Sequence, residues 1–98
     1  MEVQFCDYMK EEMKNSIKKI IEDSFDKKLR KPEETKSFYT KNKLNEIYSN
    51  YEWNVLFIFI DNNKKYSFSG FGKKIFCIFK NYGIIINEHN IKTMKKKD

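Results

Sequence analysis

The 98-residue chain has no alanine, one proline (Pro32), one histidine (His89), one arginine (Arg30), two cysteines and three glycines. Each scarcity excludes something. Cys6 and Cys77 are far apart, there is no CxxC pair, and His89 stands alone. A four-ligand zinc site cannot be assembled from these residues, so no metal is expected. Both thiols are read as small reduced side chains in or near strands. His89 has no evident Cys or Ser partner, and Gly70-Phe71-Gly72 is too little glycine for a phosphate loop. No catalytic residue and no cofactor are expected, and the chain is not read as an enzyme. The longest strongly apolar run, Val55 to Ile60, is far short of the ~20 residues of a membrane span. The acid-bearing start MEVQFCDYMKEEM has no long apolar run and is not read as a secretory signal. A cytoplasmic protein without membrane contact is the expectation. With no repeat and no Pro/Gly/Ser linker, the length implies one domain.

Charge is plentiful but one-sided. The net charge of +6 invites a nucleic-acid reading. Arginine, the residue of bidentate phosphate and base contacts, occurs once. Absent alanine with abundant Lys, Asn and Ile is the pattern of A/T-rich coding. The lysines are therefore read mainly as solvated surface, and the tail KTMKKKD as frayed.

Hydrophobic spacing supplies the elements. Glu2 to Phe5 suits a short strand. Met9, Met13, Ile17, Ile20, Ile21 and Phe25 recur at steps of three and four, which predicts a helix with one apolar stripe. Glu11 and Glu12 suit its first turn. A second helix is expected to start near Pro32, with Glu33 and Glu34 at its N-terminal end. Leu44, Ile47, Tyr48 and Tyr51 form its stripe, joined less regularly by Phe38 and Tyr39. Strands are then expected over Trp53–Ile60, Lys65–Ser69, Lys74–Lys80 and Ile84–Asn87, separated by DNN, GFG and NYG turns. The fold class is α+β: two N-terminal helices on one face of an antiparallel meander.

That arrangement leaves a question. Trp53–Ile60 is apolar on both sides, as are Lys74–Lys80 and Ile84–Ile86. Helices cover one sheet face only. The other is expected to meet a second copy of the chain in a two-fold dimer.

Three stretches, MKEEM, NYEWNVL and KKIFCIFKNYGIII, resemble the small, eight-kilodalton family of dynein light chains, and the order of elements agrees over residues 3–87. Residues 88–98 fall outside the resemblance as a basic tail. The family likeness implies a homodimer in which the strand matching Lys65–Ser69 crosses to the partner's sheet and binds an extended client peptide along its outer edge. It implies a non-catalytic adaptor of the microtubule motor dynein, in the cytoplasm and on the cytoskeleton, whose partners include dynein intermediate chain. On this reading Lys65, Tyr66, Ser67, Phe68 and Ser69 contact the peptide. Ile75, Cys77, Phe79, Ile84 and Ile86 line the groove, and Glu33 or Glu34 matches the family's helix-start glutamate. Lys64, Tyr66, Phe68, Trp53 and Val55 are assigned to the dimer interface. The family's Phe-Gly pair at the start of the crossing strand is Lys64-Lys65 here, and its Thr-His end is Ser69-Gly70.

The alternative is a small single-stranded nucleic-acid binder. Tyr66, Phe68 and Phe71 would stack on bases, and Lys64, Lys65, Lys73 and Lys74 would hold phosphates. The aromatic spacing does not fit the usual RNA-binding signature.

Overall fold

The computed structural model describes residues 1–60 and 72–89. Its elements are β1 (Glu2–Asp7), α1 (Glu11–Ser24), α2 (Lys36–Ile47), β2 (Glu52–Phe59), β3 (Lys74–Phe79) and β4 (Tyr82–His89). Two helices pack on one four-stranded antiparallel sheet, an α+β domain.

Helix α1 forms where the stripe predicts it. Ile17, Ile20 and Ile21 are buried, while Met9, Met13 and Phe25 pack around them. Burying each isoleucine contributes about 1.5–3 kcal/mol. Glu11 occupies the first turn and pairs with Lys14 at 2.9 Å. At the other end the buried Ser24 hydroxyl donates to the Ile21 carbonyl at 2.6 Å.

Helix α2 starts four residues later than Pro32 suggests. Pro32 sits second in a β-turn closed by Glu34 N–H donating to the Lys31 carbonyl at 3.0 Å. Arg30 Nη1 donates to the Glu34 carbonyl at 2.7 Å, bracing the turn from the residue just before it. The helix is then capped by Thr35, whose Oγ1 accepts from Phe38 N–H at 3.1 Å. Glu33 and Glu34 thus precede the helix, and its first turn contains no acid. Of the two irregular aromatics, Tyr39 is buried with Leu44, whereas Phe38 and Ile47 are exposed.

The strand order is β1-β3-β4-β2. The expected meander is therefore corrected: β4 lies between β2 and β3. The β3–β4 hairpin turns through Lys80 and Asn81, with φ of 49° and 67°. Two successive positive φ values make a type I′ turn, whose twist matches that of the strands. The turn is thus one residue earlier than NYG, and Tyr82 and Gly83 belong to β4. β4 also runs two residues past Asn87, so Glu88 and His89 are in the sheet. At the far edge the β1–β3 register shifts between Val3 and Phe5, which leaves Gln4 as a bulge.

Gly72, at φ 77°, precedes β3 and allows Glu88 to fold against it: Glu88 Oε2 accepts from Lys73 N–H at 3.0 Å. A β-carbon on Gly72 would collide with that carboxylate.

Register sorts the sheet into two faces. Trp53, Val55 and Phe57 oppose Glu88, Ile86 and Ile84, and Ile86 and Ile84 oppose Ile75 and Cys77. This face lies against the helices and forms the core. The other face has Phe5, Leu56, Ile58, Phe76, Ile78 and Ile85, with Gly83 among them. No described helix packs on it. No helix among the described residues is long and apolar enough to cross a membrane.

Candidate protein-interaction surfaces

Three surfaces stand out: the outer edge of β2, the open sheet face, and an aromatic corner crowned by lysines.

Among the described residues, no strand pairs with the outer edge of β2. Its polar groups can be assigned by parity. Ile60 N–H donates to the Asn81 carbonyl at 3.2 Å, so residues of that parity point into the sheet. In an antiparallel ladder the alternate residues point outward. Trp53, Val55, Phe57 and Phe59 therefore present their backbone N–H and C=O groups along the edge. Such a row is a template for another strand.

The open face is apolar at its centre. Leu56 is 53% exposed, beside half-buried Ile58, Ile78 and Ile85. Its rim is polar, with Asp7 pairing with Lys74 at 3.5 Å.

The third surface lies where the end of α1 meets the β3–β4 turn. Phe25 packs edge-on against Phe79 at 5.1 Å and Tyr82 at 5.6 Å. Phe59 stacks on Tyr82 at 4.5 Å and is 75% exposed. Lys36 Nζ stands 5.3 Å from the Phe25 ring centre and 5.4 Å from that of Tyr82. Lys80 Nζ stands 5.7 Å from Phe25 and 5.5 Å from Phe79. A shallow cavity of about 410 Å³ opens beside them, lined by Arg30, Lys36, Phe57 and Tyr82 and by the turn before α2.

The residues expected to form a peptide site distribute unevenly. Ile75, Cys77, Ile84 and Ile86 are fully buried beneath the helices. In the subunit they belong to the core and are not exposed along an edge. The two-sided apolar pattern of β3 hid which side the helices would take. Phe79 is half-buried in the aromatic corner. Glu33 and Glu34 line its cavity from the turn. The Glu34 carboxylate accepts from Lys31 N–H at 3.3 Å. Trp53, assigned to the dimer interface, is 1% exposed; it donates from Nε1 to the Tyr48 carbonyl at 3.4 Å and packs between Tyr48 and Tyr51. Its side chain is spent inside the subunit. Val55 is half-buried on the same helix-facing side. Lys64, Lys65, Tyr66, Ser67, Phe68 and Ser69 lie outside the described residues, as does Phe71. Lys36 and Lys80 were missed as a pair, since 44 residues separate them and neither belongs to a motif.

Burial raises both thiols: Cys77 is pushed up to about 11, and Cys6 is raised above its ordinary value. Neither is an activated nucleophile. No group of three or more His, Cys, Asp or Glu among the described residues could hold a metal ion.

No protein-family model matches this sequence, and no curated protein sequence matches it.

Proposed function

We propose that the chain is a non-catalytic dimeric adaptor of the small dynein light chain type, which holds extended segments of partner proteins by strand addition. The observation that carries this reading is the place of β2. It lies at a sheet edge, and the chain leaves it to re-enter the sheet beyond β4. The intervening stretch contains Lys65–Ser69, the segment that the resemblance assigns to crossing between subunits. The outward backbone groups of Trp53, Val55, Phe57 and Phe59 are what such a strand requires.

The open face supports the dimer. Leu56, Ile58, Ile78 and Ile85 form an apolar patch on the side that no described helix covers. A two-fold mate would remove it from water, at roughly 25 cal/mol per Å² of apolar surface.

The experiment is paired. Sedimentation equilibrium should give a dimer. Affinity capture from the native cell should recover dynein intermediate chain with the wild-type protein, and Ser67→Pro should lose it while the helical circular dichroism persists. Proline removes a backbone donor from the strand. Capture unchanged by Ser67→Pro would remove strand addition from the proposal. A single chain at high concentration would remove the dimer.

A further inference from the structure

The aromatic corner has a property that neither the dimer nor strand addition uses. Two ammonium groups, Lys36 and Lys80, converge on one phenyl ring, Phe25. Neither forms an ion pair with a described carboxylate. The other lysines in salt bridges, Lys14, Lys19, Lys43 and Lys74, have acids within 4 Å. Arg30 lines the adjoining cavity together with Lys36, and its Nε is buried without a hydrogen-bond partner. Like charges gathered over rings, with an unpaired donor beside them, form a site short of an anion.

We infer that this corner is an anion site that takes the carboxylate side chains of an acidic, extended protein segment. The inference rests on the adaptor reading for the kind of partner and adds what that partner carries. Phe57 lies in the cavity wall and presents its backbone at the β2 edge, so a segment bound along that edge passes beside Lys36. Glu33 and Glu34 limit the cavity on the turn side. The Glu34 carboxylate accepts only the Lys31 backbone N–H, so the turn side of the cavity is acidic and the cationic side is that of Lys36 and Lys80 over the rings. The chain's own tail beyond His89 is basic and is not a matching occupant.

Nucleic acid would also bring negative charge, but the rings do not suit bases. Phe25, Phe79 and Tyr82 pack edge to face with lysines over them. Phe59 offers one open face, where successive bases need several. Lysine is a point charge and serves a carboxylate without a bidentate geometry.

Poly-L-glutamate is the probe, titrated into the full chain at low salt and followed by calorimetry. The wild type should bind. The pair Lys36→Gln/Lys80→Gln should weaken binding about tenfold, and Lys36→Arg/Lys80→Arg should retain it. The charge-matched control Lys10→Gln/Lys41→Gln should change it less than about twofold. Equal losses in both glutamine pairs would reduce the effect to net charge and overturn the site, as would no binding by the wild type. Polyuridylate binding more tightly than polyglutamate, with the larger loss on Lys36→Gln/Lys80→Gln, would overturn the acidic-segment assignment. These arms do not involve Ser67, so the anion site and strand addition fail separately.

Discussion

Phe76 leans across the open sheet face onto Gly83: a β-carbon on the glycine would stand 3.0 Å from Phe76 Cε1. Ile60 Cγ2 and Ile58 Cγ1 would lie at 2.8 and 3.3 Å from the same point. The glycine makes room for three side chains, one from β3, one from β2 and one from the residue that follows β2. Gly83→Ala overpacks this spot and should destabilise the fold by about 1–3 kcal/mol in urea unfolding. A neutral result would mean that the aromatic ring swings aside at no cost.

Helix α2 depends on its cap. Thr35 Oγ1 satisfies Phe38 N–H, and no first-turn acid assists it. Thr35→Ala should cost about 1 kcal/mol, with Thr35→Ser recovering most of it. Glu33→Gln should leave stability nearly unchanged, because Glu33 lies outside the helix. Denaturant midpoints of the three variants check the order.

Those two sites show what periodicity could reveal. The α1 stripe from Met9 to Phe25 fixed a helix and its buried side, because one face was apolar and the other charged. Pro32 and the two acids after it pointed to too early a start for α2, which the Thr35 side chain sets instead. The strands were recognisable from runs of Ile and Phe, but their order was not. Ile75, Cys77 and Phe79 alternate with Phe76 and Ile78, apolar on both sides, so the pattern could not say which side would meet the helices. The place of β4 between β2 and β3 depends on long-range pairing that no local spacing encodes. The Lys36–Lys80 convergence is likewise a product of tertiary structure.

Alkaline pH should loosen the fold through Cys77. Its thiol is pushed up to about 11 in the folded protein from 9.0. The folded state holds its proton longer than the unfolded chain does. Stability from this group is therefore full below pH 9 and falls as pH rises toward 11, by about 3 kcal/mol over that window. Cys77→Ala should flatten this part of the curve. Below pH 8, alkylation of Cys77 should require unfolding, which a mass-spectrometric time course with iodoacetamide can follow.

Leu56 tests the open face directly. It is exposed in the subunit and has no place in the core. Leu56→Asp should preserve helical content and raise the dissociation constant of the proposed dimer by at least ~100-fold, since a two-fold axis through this face would place both new charges at the interface. Sedimentation velocity over a dilution series would resolve the shift. An unchanged association constant would move the interface off this face.

Trp53 separates the subunit's own packing from assembly. Tyr48 and Tyr51 flank its ring at 6.2 and 5.6 Å between centroids, and its N–H reaches the Tyr48 carbonyl. With 1% exposure in a lone subunit, it should emit as a buried indole whether or not a second copy is bound. Dilution through the dissociation of the proposed dimer should leave its emission maximum and acrylamide quenching unchanged, while sedimentation follows the assembly state. Trp53→Ala should act differently from Leu56→Asp, destabilising the subunit itself by about 3–5 kcal/mol. A red shift on dilution would mean that the environment of Trp53 is completed by the partner and that the two kinds of packing are one.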